Sequence, residues 1–290
     1  MLIAVPNMSE GRDLVVVGAV ADAFASGHAR VLDVHDDPDH HRSVVTLAGP
    51  GGTIAPALAA GAAEALARID LRRERGSHPH VGVVDVCPVV YLDDARRGAA
   101  CAEALAAAAD LGAAGIPVFL YGELAGGRTR AELRRGGPAE LARRVEAGEL
   151  RPDFGPQRID PSAGATLVAA RAPLLAFNLE LAAPATLDDA RAIAAAVREG
   201  GADGLPGVRA LGMTLPARGN VAQVTCNVED HRAVPLARLV AAVARHARVA
   251  ECEVVGLPPR AAFDGFPADL PVRNRRTLED ALEGAGITLS

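Results

Sequence analysis

No lysine occurs in these 290 residues; all 30 basic side chains are arginines. Without a primary amine on a side chain, Schiff-base chemistry, pyridoxal phosphate catalysis and a Walker-type phosphate loop are excluded. Cysteine is scarce as well. Cys87, Cys101, Cys226 and Cys252 lie far apart with no CxxC pair, which argues against a disulfide framework or a structural zinc site. Their apolar or alanine-rich surroundings read as those of small buried side chains. Long hydrophobic runs are missing too. Arg, Asp or Glu interrupts every alanine-rich stretch before the ~18 apolar residues a membrane span requires. The opening MLIAVPNMSEGRD carries no basic leader ahead of its short apolar run, so it does not read as a signal peptide and a cytoplasmic protein is expected. The formal charge of -6, with basic residues scattered and not in a stripe, speaks against nucleic-acid binding. Arginine forks suit small carboxylated substrates, although a genome biased toward arginine codons explains the lysine deficit equally well.

Half of the residues are hydrophobic, enough for ordinary cores, and the length suggests two domains. The periodicity predicts strands at 2–6, 30–35, 43–48, 81–91 and 116–122, with helices at 12–26, 53–69 and 94–111. Two short helices fill 128–147, and 150–164 is a Pro/Gly-rich loop, RPDFGPQRIDPSAG. From 173 the order starts again: strand 173–181, helix 186–199, strands 206–215 and 220–228, helix 234–248, strand 250–257, then a loop and a short helix. Both halves read β-α-β-β-α-β. The expected class is therefore α/β (α+β), with two ferredoxin-like subdomains, 1–170 and 171–290, flanking a ligand crevice.

Three polar constellations could carry chemistry. In GSHPHVGVVDVCP, His78 precedes Pro79 and so favours an extended loop feeding a strand. An imidazole there suits proton transfer at neutral pH. In HDDPDHHR, His35, Asp36, Asp37, Asp39, His40, His41 and Arg42 crowd together. The residues match no standard metal-ligand spacing, and a solvated Asp-Pro-Asp turn and a substrate-orienting cluster both remain open. Arg42 is the member suited to a carboxylate. In VPNMSEG, Asn7 or Ser9 could cap the following helix, or the helix start could receive an anion.

VPNMSEGRD, DPDHHRSVVTLAGP, GSHPHVGVVDVCPV, VFLYGE, RPDFGP, GATLVAARAPLLAFN and NVAQVTCNV follow in one order. As an ordered set spanning 5–258, they resemble the formimidoyltransferase part of formimidoyltransferase-cyclodeaminase and the stand-alone glutamate formimidoyltransferases. The resemblance implies transfer of a formimino group from N-formimino-L-glutamate to tetrahydrofolate, in histidine degradation and one-carbon metabolism, with no metal. It places the proton-transfer role on His78 and folate contacts on Gly155, Pro156, Gln157, Arg158, Ile159, Asp160, Pro161, Ser162, Ala163 and Gly164. Arg42, Asn7, His35, Asp37 and Glu123 are candidates for the donor pocket. Small-molecule substrates are the expected partners, with neither nucleic acid nor membrane, and a homodimer is an open assembly state. His35, His41 and His80 replace an Asp, an Asn and an Arg of the animal pattern, and Ala163 replaces a Trp. A folate-binding protein without transfer activity, or a transferase using 5-formyltetrahydrofolate, is the alternative these departures allow.

Overall fold

The computed structural model describes residues 1–76 and 78–288. They fall into two compact units, Met1–Arg171 and a second from Ala172 onward. Among the described residues no helix is long and apolar enough to cross a membrane.

The first unit runs β1 (Leu2–Ala4), β2 (Asn7–Met8), α1 (Leu14–Phe24), β3 (Arg30–Asp37), β4 (Arg42–Gly49), α2 (Ile54–Arg68), β5 (Val84–Val90), α3 (Arg97–Ala113), β6 (Val118–Leu120), α4 (Arg130–Arg134), α5 (Gly137–Glu146) and β7 (Thr166–Arg171). β1 and β2 are one strand in two pieces. Pro6 has no N–H to give, so the ladder lapses there while the Pro6 carbonyl still accepts from Val45 N at 3.0 Å. Both pieces lie between β4 and β5, antiparallel to each, and β3 pairs with β4 on the far side. The chain order β-α-β-β-α-β is thus folded into an interleaved sheet. β7 and β6 extend it, parallel to β5.

β7 and the short edge strand at Val272–Arg273 are elements the sequence pattern missed. TLVAAR has no alternation because it is buried on both faces, as parallel central strands are. Leu167 and Ala169 face the core holding Leu133, Leu141 and Val145 of α4 and α5, whereas Val168 and Ala170 face the core shared with α1–α3. The cap of α1 also differs from expectation. Neither Asn7 nor Ser9 supplies it; Asp13 does, accepting from Val15 N and Val16 N at 3.0 and 3.2 Å.

The second unit runs β8 (Leu175–Leu181), α6 (Leu187–Val197), β9 (Val208–Leu215), β10 (Val221–Val228), α7 (Leu236–Ala244), β11 (Val249–Val255), β12 (Val272–Arg273) and α8 (Leu278–Gly284). Its sheet order is β12-β11-β8-β10-β9, antiparallel except for the β11–β12 edge. The four main strands repeat the interleaving of the first unit. Alternation in NVAQVTCNV divides the strand cleanly: Ala222, Val224, Cys226 and Val228 face the helices and the core, and Gln223 and Thr225 take the other face. Thr186 with Asp189 and Thr277 with Asp280 form capping boxes that start α6 and α8. Cys87, Cys226 and Cys252 are buried in strands and unbridged.

In the first unit α1 and α2 cross in contact because Gly61 presents no side chain. A Cβ at Gly61 would overlap the ring of Phe24, which is itself fully buried. Gly61→Ala is expected to lower unfolding stability by about 1–3 kcal/mol, the usual cost of overpacking. An unshifted midpoint in urea denaturation would show that the two helices separate freely.

Candidate active site

Three loops of the first unit meet at the β2 end of the sheet. One follows β2 and runs to Asp13, one is the 37–42 turn between β3 and β4, and one includes 74–76 and 78–83 and enters β5. Backbone contact between them requires glycine twice. A Cβ on Gly11 would strike Asp37 O and Arg42 N, and one on Gly76 would strike His40 O. Ser9 ties the first loop to the third, its hydroxyl donating to Gly82 O at 2.8 Å and its amide to Val83 O at 2.9 Å. His41 joins all three from a left-handed backbone (φ 50). Its Nε2 lies 3.0 Å from Glu10 Oε1 and its Nδ1 2.8 Å from Glu74 Oε2.

Asp85 is the anchor. Met8 stands opposite Val84 and Asn7 opposite Val86, so Asp85 is the extra residue of a β-bulge in β5. A bulge re-aims its side chain. The carboxylate, 0% exposed, accepts from Val81 N at 2.9 Å, pairs with Arg42 Nη1 at 2.8 Å, and takes Arg134 Nη2 from α4 as a third partner. Arg42 is 8% exposed and its Nε donates to Asn7 Oδ1 at 3.0 Å, while Asn7 Nδ2 donates to Val5 O at 2.9 Å. Burial pulls the Arg42 guanidinium down to about 10 against the opposing attraction of Asp85, so it remains a cation at neutral pH. Although burial alone would raise the Asp85 carboxyl, Arg134 and Arg42 hold it well below the carboxylate range.

His78 is half-buried beside this group. Its ring centroid is 6.2 Å from that of His40, with the planes tilted by 58°. His78 Nδ1 is buried and has no hydrogen-bond partner among the described residues. Burial, then the charges of Arg42 and Arg134, lower its pKa well below 6.5; at pH 7 the ring is neutral, and one nitrogen can accept a proton. His80 follows with Nδ1 3.2 Å from the His78 carbonyl.

Of the other sequence candidates, Asp37 is committed to its turn. It accepts from the amides of Asp39 and His40, each at 2.9 Å, and is ion-paired with the His40 ring. His35 is buried on β3 opposite Val44. Glu123 belongs to a different set of contacts, accepting from Arg97 Nε at 2.7 Å and lying 3.4 Å from Cys101 Sγ. The glycine-bounded loop is stitched to the histidine loop by backbone. Ala163 O accepts from Val83 N at 2.8 Å, and Ala165 N donates to Val81 O at 2.9 Å. Gly164 (φ 73) leaves no room for a Cβ against Val81 O. Within that loop Pro156, Gln157, Arg158 and Pro161 are exposed, and Asp160 folds back onto Ser162 N and Oγ at 2.8 and 2.7 Å. Ile159 is buried in the core with Val81 and Tyr121.

The sequence reading passed over Asp85, Arg134, Glu10 and Glu74. For Asp85 the signal was present: a lone carboxylate inside VGVVDVCPVV must be paired if it is buried. Asp85→Asn would leave two guanidiniums without their shared anion, with an expected loss of about 3–5 kcal/mol. Because the folded carboxyl titrates below the ordinary ~3.9, its contribution is complete above that pH and disappears as acid protonates it. Stability measured by denaturation from pH 7 down to 3 should therefore fall less steeply in the variant than in the wild type. Parallel curves would contradict the pairing.

Two family models match this chain. The formiminotransferase domain, N-terminal subdomain, covers residues 1–171, and the formiminotransferase domain covers 176–263. The glutamate formimidoyltransferase of Thermoplasma acidophilum is 34% identical over 275 residues, 89% of this chain and 88% of the relative. That of Streptococcus pyogenes serotype M1 is 34% identical over 270 residues, 89% of each chain. The formimidoyltransferase-cyclodeaminase of Sus scrofa is 37% identical over 299 residues, 95% of this chain but 53% of the relative, so the chain spans about half the length of that longer protein. With its two halves matched in order by the two models, the chain belongs to the formiminotransferase domain family.

Proposed function

We propose that this protein is a glutamate formimidoyltransferase that moves a formimino group from N-formimino-L-glutamate to tetrahydrofolate, with His78 as the acid/base. The observation that carries the reading is the neutral imidazole whose buried Nδ1 has no partner among the described residues, set beside a cationic group. Formimino transfer needs one proton removed and one delivered. As N5 of the reduced folate bonds to the amidine carbon, that nitrogen loses its proton; as the carbon–nitrogen bond to glutamate breaks, the departing nitrogen gains one. A neutral ring can take the first and return it to the second, a contribution typically of ~10²–10⁴-fold.

Asp85 supplies one negative charge against the two positive charges of Arg42 and Arg134. The surplus favours a carboxylated donor, and the Arg42 edge not held by Asn7 and Asp85 is the candidate contact. Holding two substrates in register contributes further, up to ~7–11 kcal/mol in well-oriented systems. Residues 155–164, joined by backbone to the His78 loop, are the proposed folate contacts, with Arg158 and Gln157 exposed for that purpose. Ile159 serves as the loop's anchor in the core. A cytoplasmic location accompanies this reading.

Two measurements test it. In a formimino-transfer assay, His78→Ala should lose at least about a hundredfold in kcat while keeping the wild-type circular dichroism spectrum; retention of more than a tenth of the rate removes His78 from the role. In a pH profile of kcat/KM, the acid limb should lie below 6.5, since the ring's pKa is depressed. An inflection at or above 6.5 would mean that the titrating group is not this buried imidazole.

A further inference from the structure

The short helix α4, RAELR, has an arginine at each end. Arg130 and Arg134 are four residues apart and so share one face of the helix, where side chains at that spacing are neighbours. Arg134 uses this face to pair with Asp85, the carboxylate that also holds Arg42. Arg130, one turn earlier, is partly exposed, and its guanidinium carbon lies over the ring of Tyr121, 5.7 Å from the centroid. Tyr121 is itself buried in the core cluster that contains Val81 and Val86, which flank Asp85 along the chain. A cation–π contact with so fixed a ring holds the Arg130 head in place, on the side of α4 that faces the Asp85 group. Its charge reaches Arg42: burial first, then the charges of Arg134 and Arg130, draw the Arg42 guanidinium down while Asp85 opposes them.

Two guanidiniums are thus bonded to Asp85 and a third stands near them without a counter-charge. The Arg130 side chain has no hydrogen bond or ion pair among the described residues, and its contact is the Tyr121 ring. Like charges held close together repel, and here no protein anion offsets the cost. An anion arriving from solvent does so, and the planar fork of an arginine matches a carboxylate. The donor proposed above carries two carboxylates on a short flexible chain, and the open edge of Arg42 accounts for one of them. We infer that Arg130 is a specificity-determining residue that binds the second carboxylate of the donor, so that the site selects dicarboxylic over monocarboxylic formimino compounds. The inference rests on the proposed activity and names the group that sets its choice of donor.

The test compares N-formimino-L-glutamate with N-formiminoglycine, which lacks the second carboxylate, as donors to saturating tetrahydrofolate. Arg130→Gln should raise KM for the glutamate donor by roughly ten- to a hundredfold, the value of a charge-assisted hydrogen bond, with kcat nearly unchanged. KM for the glycine donor should stay at its wild-type value, because the lost partner is absent from that compound. Arg130→Lys, which keeps the charge but not the fork, should recover part of the loss. The melting temperature of Arg130→Gln should be no lower than that of the wild type, since the substitution removes a repulsion. An unchanged KM for the glutamate donor overturns the inference, and so does an equal rise for both donors. If the wild type transfers from neither compound, the proposed activity fails, and binding of glutarate measured by calorimetry then decides the role of Arg130 separately. Weaker glutarate binding in Arg130→Gln, by about tenfold or more, supports a dicarboxylate site; equal binding in wild type and variant overturns it.

Discussion

The Asp85 carboxylate organises the candidate site. A charge with no exposed surface inside a strand survives only if it is paired, and its two guanidinium partners come from opposite ends of the unit's sequence, Arg42 at the start of β4 and Arg134 on α4. Once that ion group forms, the 37–42 turn, β5 and α4 are mutually located. The amide of Val81 binds the same carboxylate and draws in the segment just after His78. The histidine's low proton affinity is then a consequence of its surroundings: it is desolvated next to two cations whose counter-charge is already shared.

Glycines and backbone bonds supply the rest of the positioning. Gly11 and Gly76 let two loops touch the backbone of the 37–42 turn where any side chain would collide. His41, reaching Glu10 on one side and Glu74 on the other, closes the same three loops with side chains. The glycine-bounded segment is carried along because Ala163 and Ala165 bond to the strand entry at Val83 and Val81. The resemblance assigned that segment to the folate. In the structure it is also a brace for the His78 loop, with Ile159 driven into the core and Asp160 closing its own turn on Ser162.

The two units solve the same chain order in the same way, with the first strand central and the hairpin strand beside it, but they use their sheet faces differently. In the first unit, β5 and β7 are covered on both faces by apolar side chains. In the second, one face is apolar and the other holds a buried ionic and amide network. The strand alternation of 220–228 made the second pattern readable in advance, and the uniform burial of 166–171 hid the first, because a strand apolar on both sides has no period to detect.

By itself, the sequence determined the alternation of strands and helices, the twofold recurrence of β-α-β-β-α-β, the loop nature of the His78 segment and, through its ordered motifs, the family. These are local or linear properties, set by periodicity, by proline and glycine, and by the order of short runs. Only the tertiary structure decided what each polar residue faces. It turned Asp37 inward to its own turn and Glu123 to Arg97, gave Arg42 to Asp85 and Asn7, and left His78 Nδ1 without a partner among the described residues. Pairing between residues as far apart as Asp85 and Arg134 depends on a bulge and a sheet register that no spacing along the chain records, since a shift of one residue would send each side chain to the opposite face.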